Sequence, residues 1–143
     1  MASPFPPLRF DLDGLAAFID QSFPPKARPA FGRLAGIAPG HARLILDPDA
    51  DMVRPGGIVS GPVLMGLVDV AAWAVVLAHV GPVAMAVTHS LNMAFLRACA
   101  VAPVTADAHL LKLGRRLATI DVRLWQGTED WPVAQSTVGY ALP

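Results

Sequence analysis

Residues 56–82 read GGIVSGPVLMGLVDVAAWAVVLAHVGP, and this stretch decides the fold. Ser60 is a favoured residue just before a helix, and Pro62 suits the first helical turn, where its missing N–H costs nothing. The pair 81–82, Gly-Pro, ends the segment. Between them, residues 62–78 place apolar side chains on every side of a helical cylinder, which is typical of a buried helix. We therefore predict one central helix that other elements cover.

This apolar run is a poor candidate for a membrane span. It has 17 residues and contains Asp69 near its middle. A spanning helix needs about 20 consecutive apolar residues, and a carboxylate is costly at that depth. The run is therefore interpreted as a core helix, and no membrane partner is expected.

The segments before the central helix predict a short helix and a hairpin. Residues 15–19, LAAFI, form a short amphipathic stretch that Asp13 could cap and that Pro24-Pro25 would stop. Residues 31–37 and 42–46 are two apolar runs separated by Ala-Pro-Gly-His, which is turn chemistry. We divide the chain into an N-terminal arm with a short helix, residues 1–29, and a main domain, residues 30–143.

Four runs after the central helix alternate with a period of two, as strands do. The connections between them are too short for crossover helices, so neighbouring strands must be mostly antiparallel. The element order predicts an α+β fold in which a sheet wraps one helix. One face of the first strand is predicted to carry Met85, Val87, Leu91, Met93 and Phe95, and the other runs are centred on Ala108, Val122 and Tyr140.

Composition excludes several functions and favours self-association. Lys+Arg and Asp+Glu both number 11, so no net charge draws the chain to nucleic acid or an anionic membrane. Hydrophobic residues make up 54% of a chain of only 143 residues, which predicts a homo-oligomer, either a dimer or a dimer of dimers. Cys99 is the single cysteine and the start of the chain lacks signal-peptide features, so we expect a cytoplasmic protein. The four histidines are scattered, and no metal site is expected.

Asp69 is the residue that carries the functional prediction. It lies in the middle of a helix that offers no polar face. A buried carboxylate must either find hydrogen-bond donors or shift its pKa upward, and both outcomes are common at reactive sites. A structural role, in which a neighbouring backbone group or an arginine satisfies Asp69, is equally compatible with the sequence.

The start of the central helix is the second functional element. The stretch GGIVSG, residues 56–61, would deliver backbone N–H groups to a helix N-terminus, where the dipole favours a carbonyl oxygen that becomes an oxyanion. Gly61 and Asp69 are eight residues apart, or about 12 Å along a helix. One carbonyl cannot contact both in one chain, so a shared reacting group would require two helices side by side across a two-fold dimer.

The segment RPGGIVSGPVLMGLVD, residues 54–69, resembles the helix-start motif of hot-dog-fold thioesterases of the phenylacetate-pathway (PaaI-like) type. Three later segments are similar to the strands of the same family, and the resemblance covers about residue 30 to the C-terminus. It implies a long helix wrapped by a curved antiparallel sheet, subunits paired through their sheets, and hydrolysis of an acyl-coenzyme A thioester. The later segments are AVTHSLNMAFLR (86–97), ADAHLLKLGRR (106–116) and AQSTVGYALP (134–143).

The resemblance also assigns roles to two residues. It implies that the Gly61 N–H polarises the thioester carbonyl and that Asp69 attacks it or activates water. The chain departs from the family pattern at Ser60-Gly61-Pro62, where the family has His-Gly-Gly, and at Arg54, which lines up with an Asn, Gln or His. We assign Ser60 and Arg54 to substrate binding on this basis.

The remaining candidates are weaker, because each also has a structural reading. The resemblance suggests Arg115 and Arg116, next to Lys112, as partners for coenzyme A phosphates, although a solvated hairpin tip explains them equally well. Asn92 could face the acyl pocket. Trp73, one turn after Asp69, could form a pocket wall that favours a flat or modest acyl group, although core packing is the simpler reading.

These observations favour an acyl-CoA thioesterase for a small, medium-chain or aromatic acyl group. Coenzyme A is part of the substrate, and no other cofactor is expected. The alternative is a non-catalytic hot-dog protein that binds an acyl or aromatic ligand, because Ser60 and Arg54 replace polar groups that the resemblance leads one to expect.

Overall fold

The computed structural model describes residues 3–143 and consists of one long helix against a six-stranded sheet, with smaller elements around them. The helices are α1 (Leu12–Ser22) and α2 (Gly61–Val80), and 3-10 turns span Arg28–Phe31 and Ala50–Met52. The strands are β1 (Arg33–Ala38), β2 (His41–Leu46), β3 (Val53–Arg54), β4 (Ile58–Val59), β5 (Val87–Phe95), β6 (Val104–Leu113), β7 (Leu117–Trp125) and β8 (Ala134–Ala141).

The central helix α2 has the predicted bounds. It begins directly after Ser60 and ends at Gly81, whose φ of 90° suits glycine and whose N–H donates to the Leu77 carbonyl. From Leu67 to His79, every residue except Asp69 is buried. The helix is long and apolar enough to cross a membrane by length and composition alone, but most of its span is buried inside the fold. It is the core helix that the sequence predicts.

The sheet confirms the predicted α+β order. Its strands run β1-β2-β6-β7-β8-β5, and every pair of neighbours is antiparallel. Helix α2 contacts five of these strands from one side, namely β2, β5, β6, β7 and β8. This is the curved sheet around one helix that the resemblance implies.

The edge strand β5 differs from the prediction in one respect. A bulge between Thr88 and Ser90 shifts its register against β8 and changes which residues share a face. Thr88 points toward α2, and so do Leu91 and Met93 after the bulge. The predicted face that joined Val87 to Leu91 is therefore wrong, because one extra residue lies between them.

The N-terminal arm packs as an integral part of the core. Leu15 and Ile19 of α1 are fully buried, as an amphipathic covering helix requires. The predicted cap is wrong by two residues: the Asp11 side chain accepts the Gly14 N–H, and Asp13 lies in the first turn instead. The division of the chain at residue 29 stays a prediction.

A buried histidine fastens the start of the arm to the end of α2. His79 Nε2 accepts the Gly40 N–H at 2.9 Å, and its Nδ1 lies 2.7 Å from the Pro6 carbonyl. Nδ1 must therefore carry the proton and donate it to Pro6, which makes the ring neutral. A further bond joins the Arg9 N–H to the Ala78 carbonyl at 2.7 Å. The arm is held at the far end of α2 before α1 begins.

The outer face of the sheet carries a polar cluster around Asp107, which is only 5% exposed. Its carboxylate accepts hydrogen bonds from His41, from Trp125 Nε1 at 2.7 Å and from Arg43 Nε at 2.8 Å. Burial raises the pKa of Asp107, but the bonds from Arg43, Trp125 and His41 outweigh it and lower the pKa to about 2.

This cluster predicts how stability depends on pH. Because the folded-state pKa of Asp107 lies below its unfolded value, its contribution is present above about pH 4 and is lost as pH falls toward 2. We expect that contribution to be about 2 kcal/mol. Urea unfolding of the native protein and the Asp107→Asn variant measures it: the gap in unfolding free energy should shrink between pH 5 and pH 2. A gap that stays constant over that range would contradict the assignment.

Candidate active site

Asp69 lies on α2 where the helix passes the ends of β5 and β8. Its Oδ1 accepts a hydrogen bond from Thr88 Oγ1 at 2.5 Å and another from the Tyr140 hydroxyl at 2.7 Å. Within residues 3–143, no donor bonds Oδ2. The carboxylate is therefore oriented through one oxygen, while the other keeps its lone pairs free for a ligand.

The tyrosine that orients Asp69 is held in its protonated form. Burial raises the pKa of Tyr140 well above its usual range, and the negative charge of Asp69 raises it further. The phenol therefore remains a donor at any physiological pH. Since the same hydroxyl also lies 2.9 Å from the Asp69 backbone carbonyl, it fixes both the side chain and the main chain of this residue.

Asp69 faces a cavity of about 260 Å³, which we call the Asp69 cavity. Apart from Asp69, Thr88 and Tyr140, its lining is apolar and rich in aromatic rings. Such a surface suits an apolar group whose polar end reaches the carboxylate. The other lining residues are Phe23, Phe31, Gly66, Val70, Trp73, Ala84, Ala86 and Val87.

Gly61 lies in a second cavity, of about 240 Å³, at the N-terminus of α2; we call it the Gly61 cavity. No acceptor within residues 3–143 receives the Gly61 N–H. An unpaired N–H at a helix start, with the helix dipole behind it, is a donor for a carbonyl oxygen that gains negative charge. The ring of Phe95, at the end of β5, packs beside this glycine.

The turn that precedes the helix is organised differently from the prediction. Gly56 and Gly57, with φ of 102° and 74°, form the turn between β3 and β4. These positive φ values need glycine. The turn lies between two strands, however, so Gly56 and Gly57 do not supply N–H groups at the start of the helix. Of the predicted GGIVSG stretch, Gly61 alone belongs to the helix. Ser60 precedes the helix without capping it, since its side chain makes no hydrogen bond there.

The two central predicted residues lie in different cavities of one chain. Strand β5 runs between them: Val87 and Thr88 line the Asp69 cavity, and Phe95 lines the Gly61 cavity. The described residues of a single chain therefore do not bring Gly61 and Asp69 into one cavity.

Two further predicted residues lie at these cavities. Arg54 lines the Gly61 cavity together with Arg97. Trp73 lines the Asp69 cavity, where it is almost fully buried. Cys99 also lines the Gly61 cavity, but burial raises the pKa of its thiol to about 11, so it is not a nucleophile at neutral pH.

The other predicted residues lie elsewhere. Asn92 is exposed and pairs with Thr137, while its neighbours Leu91 and Met93 pack on the core. Asn92 therefore lies on the outer face of the sheet. It does not face the acyl pocket of its own chain, contrary to what the sequence led us to expect. Arg115 and Arg116 line a separate surface cavity with Lys112 at the turn between β6 and β7. Their predicted role stays a prediction.

Four residues of the Asp69 cavity were missed. Thr88 and Tyr140 reach Asp69 from positions 19 and 71 residues away, and Phe23 and Phe31 come from the segment between α1 and β1. Tyr140 offered a signal, since it lies on the inward face of the last strand and a buried phenol needs a partner. Thr88 offered none, because the bulge hides its orientation. No group of three or more metal-ligating side chains occurs within residues 3–143.

Comparison with known proteins connects this geometry to one family. A sequence model of the thioesterase superfamily matches residues 56–130, which include Gly61, Asp69 and β5. No curated protein sequence matches the chain.

Solved structures agree with the family match. A candidate thioesterase from a Silicibacter species is 37% identical, with a TM-score of 0.88, and the match covers 100% of this chain and 99% of that one. A mutant of the phenylacetic acid degradation protein PaaI from Thermus thermophilus is 29% identical, with a TM-score of 0.71 over 84% of this chain and 100% of that one. Zebrafish thioesterase superfamily member 2, at 20% identity, has a TM-score of 0.82 over 94% of this chain and 99% of its own and shares the fold.

Proposed function

Because the chain belongs to the thioesterase superfamily and has its hot-dog fold, we propose that it hydrolyses acyl-CoA thioesters at a site that two subunits build together. One observation carries the proposal. The oriented carboxylate of Asp69 and the unpaired N–H of Gly61 lie at opposite ends of the same exposed edge strand, β5. Each is half of a thioester-hydrolysing site, and neither half is sufficient by itself.

The geometry of β5 supports a dimer that joins the two halves. Strand β5 lies at one edge of the sheet, and seven of its nine residues are exposed. Its outer edge is therefore free to pair with another strand. A two-fold antiparallel pairing centred on Leu91 would place Val87 opposite Phe95 of the partner subunit. Since Val87 lines the Asp69 cavity and Phe95 lines the Gly61 cavity, this pairing would join the two cavities twice per dimer.

In the proposed reaction, the thioester carbonyl oxygen accepts the Gly61 N–H of one subunit, and the α2 dipole stabilises the charge that develops on it. Asp69 of the other subunit acts on the carbonyl carbon through Oδ2, the oxygen that no donor occupies. It either attacks directly, giving an anhydride that water then opens, or takes a proton from an attacking water. Both routes break the C–S bond and release the free acid and coenzyme A.

The turn between β6 and β7 supplies cations for the coenzyme A phosphates in this proposal. Leu117, beside Arg116, lies in one row with Ala141 and Val87, so the basic turn is at the same end of the sheet as the Asp69 cavity. Lys112, Arg115 and Arg116 form no ion pair with an acid within residues 3–143. They are therefore available for phosphate groups, which arginine binds well.

A shared site predicts that two inactive variants restore each other. In a mixed dimer of an Asp69→Asn subunit and a Gly61→Pro subunit, one site combines both defects, while the other combines an intact Gly61 with an intact Asp69. After unfolding and refolding an equal mixture, about half of the dimers should be mixed and each should have one working site. The expected rate is about a quarter of the native rate, because one site in four is intact. If mixing restores nothing while mixed dimers are present, both residues act within one chain.

The experiment that tests the function itself is an assay of free thiol release from a panel of short, medium-chain and aromatic acyl-CoAs. Hydrolysis of one or more of them, with free coenzyme A and the acid in equal amounts, supports the proposal. The alternative is a protein that binds an acyl group without hydrolysing it. That alternative predicts no turnover across the panel together with thermal stabilisation by the same ligands.

A further inference from the structure

We propose that the segment between α1 and β1 sets the size of the acyl group, through the rings of Phe23 and Phe31. This inference rests on the proposed function and extends it, because it assigns substrate selection to residues outside the segment that the family model matches. Both residues line the Asp69 cavity, whereas the remaining lining residues come from α2, β5, β8 and the loop before β5. This segment therefore builds one wall of a cavity whose reactive group belongs to α2.

Phe23 and Phe31 form a continuous aromatic wall with Trp73. The ring centres of Phe23 and Phe31 are 4.7 Å apart, and Phe23 meets Trp73 edge-on at 5.7 Å. Phe31 packs on Gly66, where a Cβ atom would lie only 3.3 Å from the ring. Gly66 lies on α2 one turn before Asp69, so the absent side chain lets Phe31 approach the helix next to the carboxylate.

A second set of contacts keeps this wall in place. Phe18, on α1, lies against Trp73 with 6.0 Å between ring centres, and Phe10 lies behind Phe18 at 5.7 Å. The arm is also tied to the end of α2 by the bond between His79 and Pro6. A wall fixed at several points limits the length of a ligand, because it cannot retreat without breaking those contacts.

The volume of the cavity fits this role for the wall. Pockets for drug-sized ligands are about 300–1,000 Å³, so a cavity of about 260 Å³ suits a smaller group. A medium-length acyl chain, or a single aromatic ring on a short linker, is such a group. The aromatic side chains that line the cavity favour an aromatic acyl group, whose ring can stack on them or meet them edge-to-face.

The test measures how acyl preference changes when the wall is removed. Each of Phe23→Ala and Phe31→Ala deletes six ring carbons, so the cavity should accept a longer chain. We expect the ratio of kcat/KM for dodecanoyl-CoA to that for octanoyl-CoA to rise at least about tenfold in either variant. Phe5→Ala is the matched control: it also removes a ring from the arm, but Phe5 packs on His79 and does not line the cavity, so its ratio should stay native.

A binding measurement keeps this inference separate from the proposed hydrolysis. Octyl-CoA and dodecyl-CoA thioethers cannot be hydrolysed, and their thermal stabilisation of each variant reports cavity size alone. If the native protein hydrolyses nothing, the proposed function fails. Thermal stabilisation by the thioethers still shows whether Phe23 and Phe31 limit the length of the bound chain. A native-like preference for the shorter chain in folded Phe23→Ala and Phe31→Ala, by both measurements, would overturn the inference. A shift of the same size in Phe5→Ala would overturn it as well, since the effect would then be a general loosening of the arm.

Discussion

Replacing Asp69 with Asn is expected to lower kcat for thioester hydrolysis by at least about a hundredfold while the protein stays folded. The amide has nearly the same shape, and its Oδ1 can still accept the hydrogen bonds of Thr88 and Tyr140. The unoccupied Oδ2, however, becomes an NH₂ group, which neither attacks a carbonyl nor accepts a proton. Steady-state kinetics with the best acyl-CoA, together with a thermal unfolding curve, separates loss of chemistry from loss of structure.

The matched control for this variant is Asp130→Asn. It makes the same chemical change at an exposed carboxylate on the far side of the sheet, and its kcat should stay native. Thr88→Val adds a graded test, because it removes one of the two orienting bonds and leaves the carboxylate intact; its loss should be smaller than that of Asp69→Asn. Full activity in Asp69→Asn would disprove the assignment of Asp69 as base or nucleophile.

Gly61→Pro is expected to lower kcat by about a hundred- to a thousandfold, as loss of one oxyanion donor does in other enzymes. The change removes the N–H that no acceptor occupies and keeps a backbone that proline tolerates, since the first helical position suits proline. A Cβ atom there would lie 3.6 Å from the Phe95 ring, which is ordinary contact. The helix should therefore form as before, without its donor.

Gly61→Ala is the control for this second variant. It adds the same Cβ but keeps the N–H, so it should retain most of the native kcat. Measuring kcat and KM for both variants isolates the donor from the added carbon. Equal loss in Gly61→Pro and Gly61→Ala would show that space, and not the hydrogen bond, limits the reaction at this position.

The sequence predicts the core helix and its carboxylate well because both depend on local patterns. The bounds of the helix, with Pro62 in its first turn and Gly81 at its end, are set by backbone chemistry within a few residues, although the Ser60 side chain does not cap it as predicted. The eight-residue spacing from Gly61 to Asp69 follows directly from the helix, and it predicts that one carbonyl cannot contact both residues of one chain. Alternation of apolar residues likewise predicts the strands, although it does not predict where one gains an extra residue.

The surroundings of Asp69 are much less predictable, because they depend on packing between distant segments. The face of Thr88 depends on the bulge in β5, which alternation alone does not reveal. Phe23 and Phe31 stand on either side of a proline-rich stretch, residues 24–29, where no periodic pattern predicts the direction of a ring. The N-terminal cap shows the same limit at short range: Asp11 and Asp13 are both good caps, and the choice between them depends on how α1 docks on α2.

The uniformly apolar surface of α2 also has a consequence for the newly made chain. Before the sheet covers it, this helix resembles the segments that a translocation channel passes into a lipid bilayer. An aspartate near the middle of such a segment opposes insertion by about 3 kcal/mol. Asp69 lies near that midpoint, so the carboxylate proposed to act in hydrolysis would also favour folding of the nascent helix in water over insertion. Replacing Asp69 with leucine would remove both the proposed catalytic carboxylate and this free-energy cost of membrane insertion.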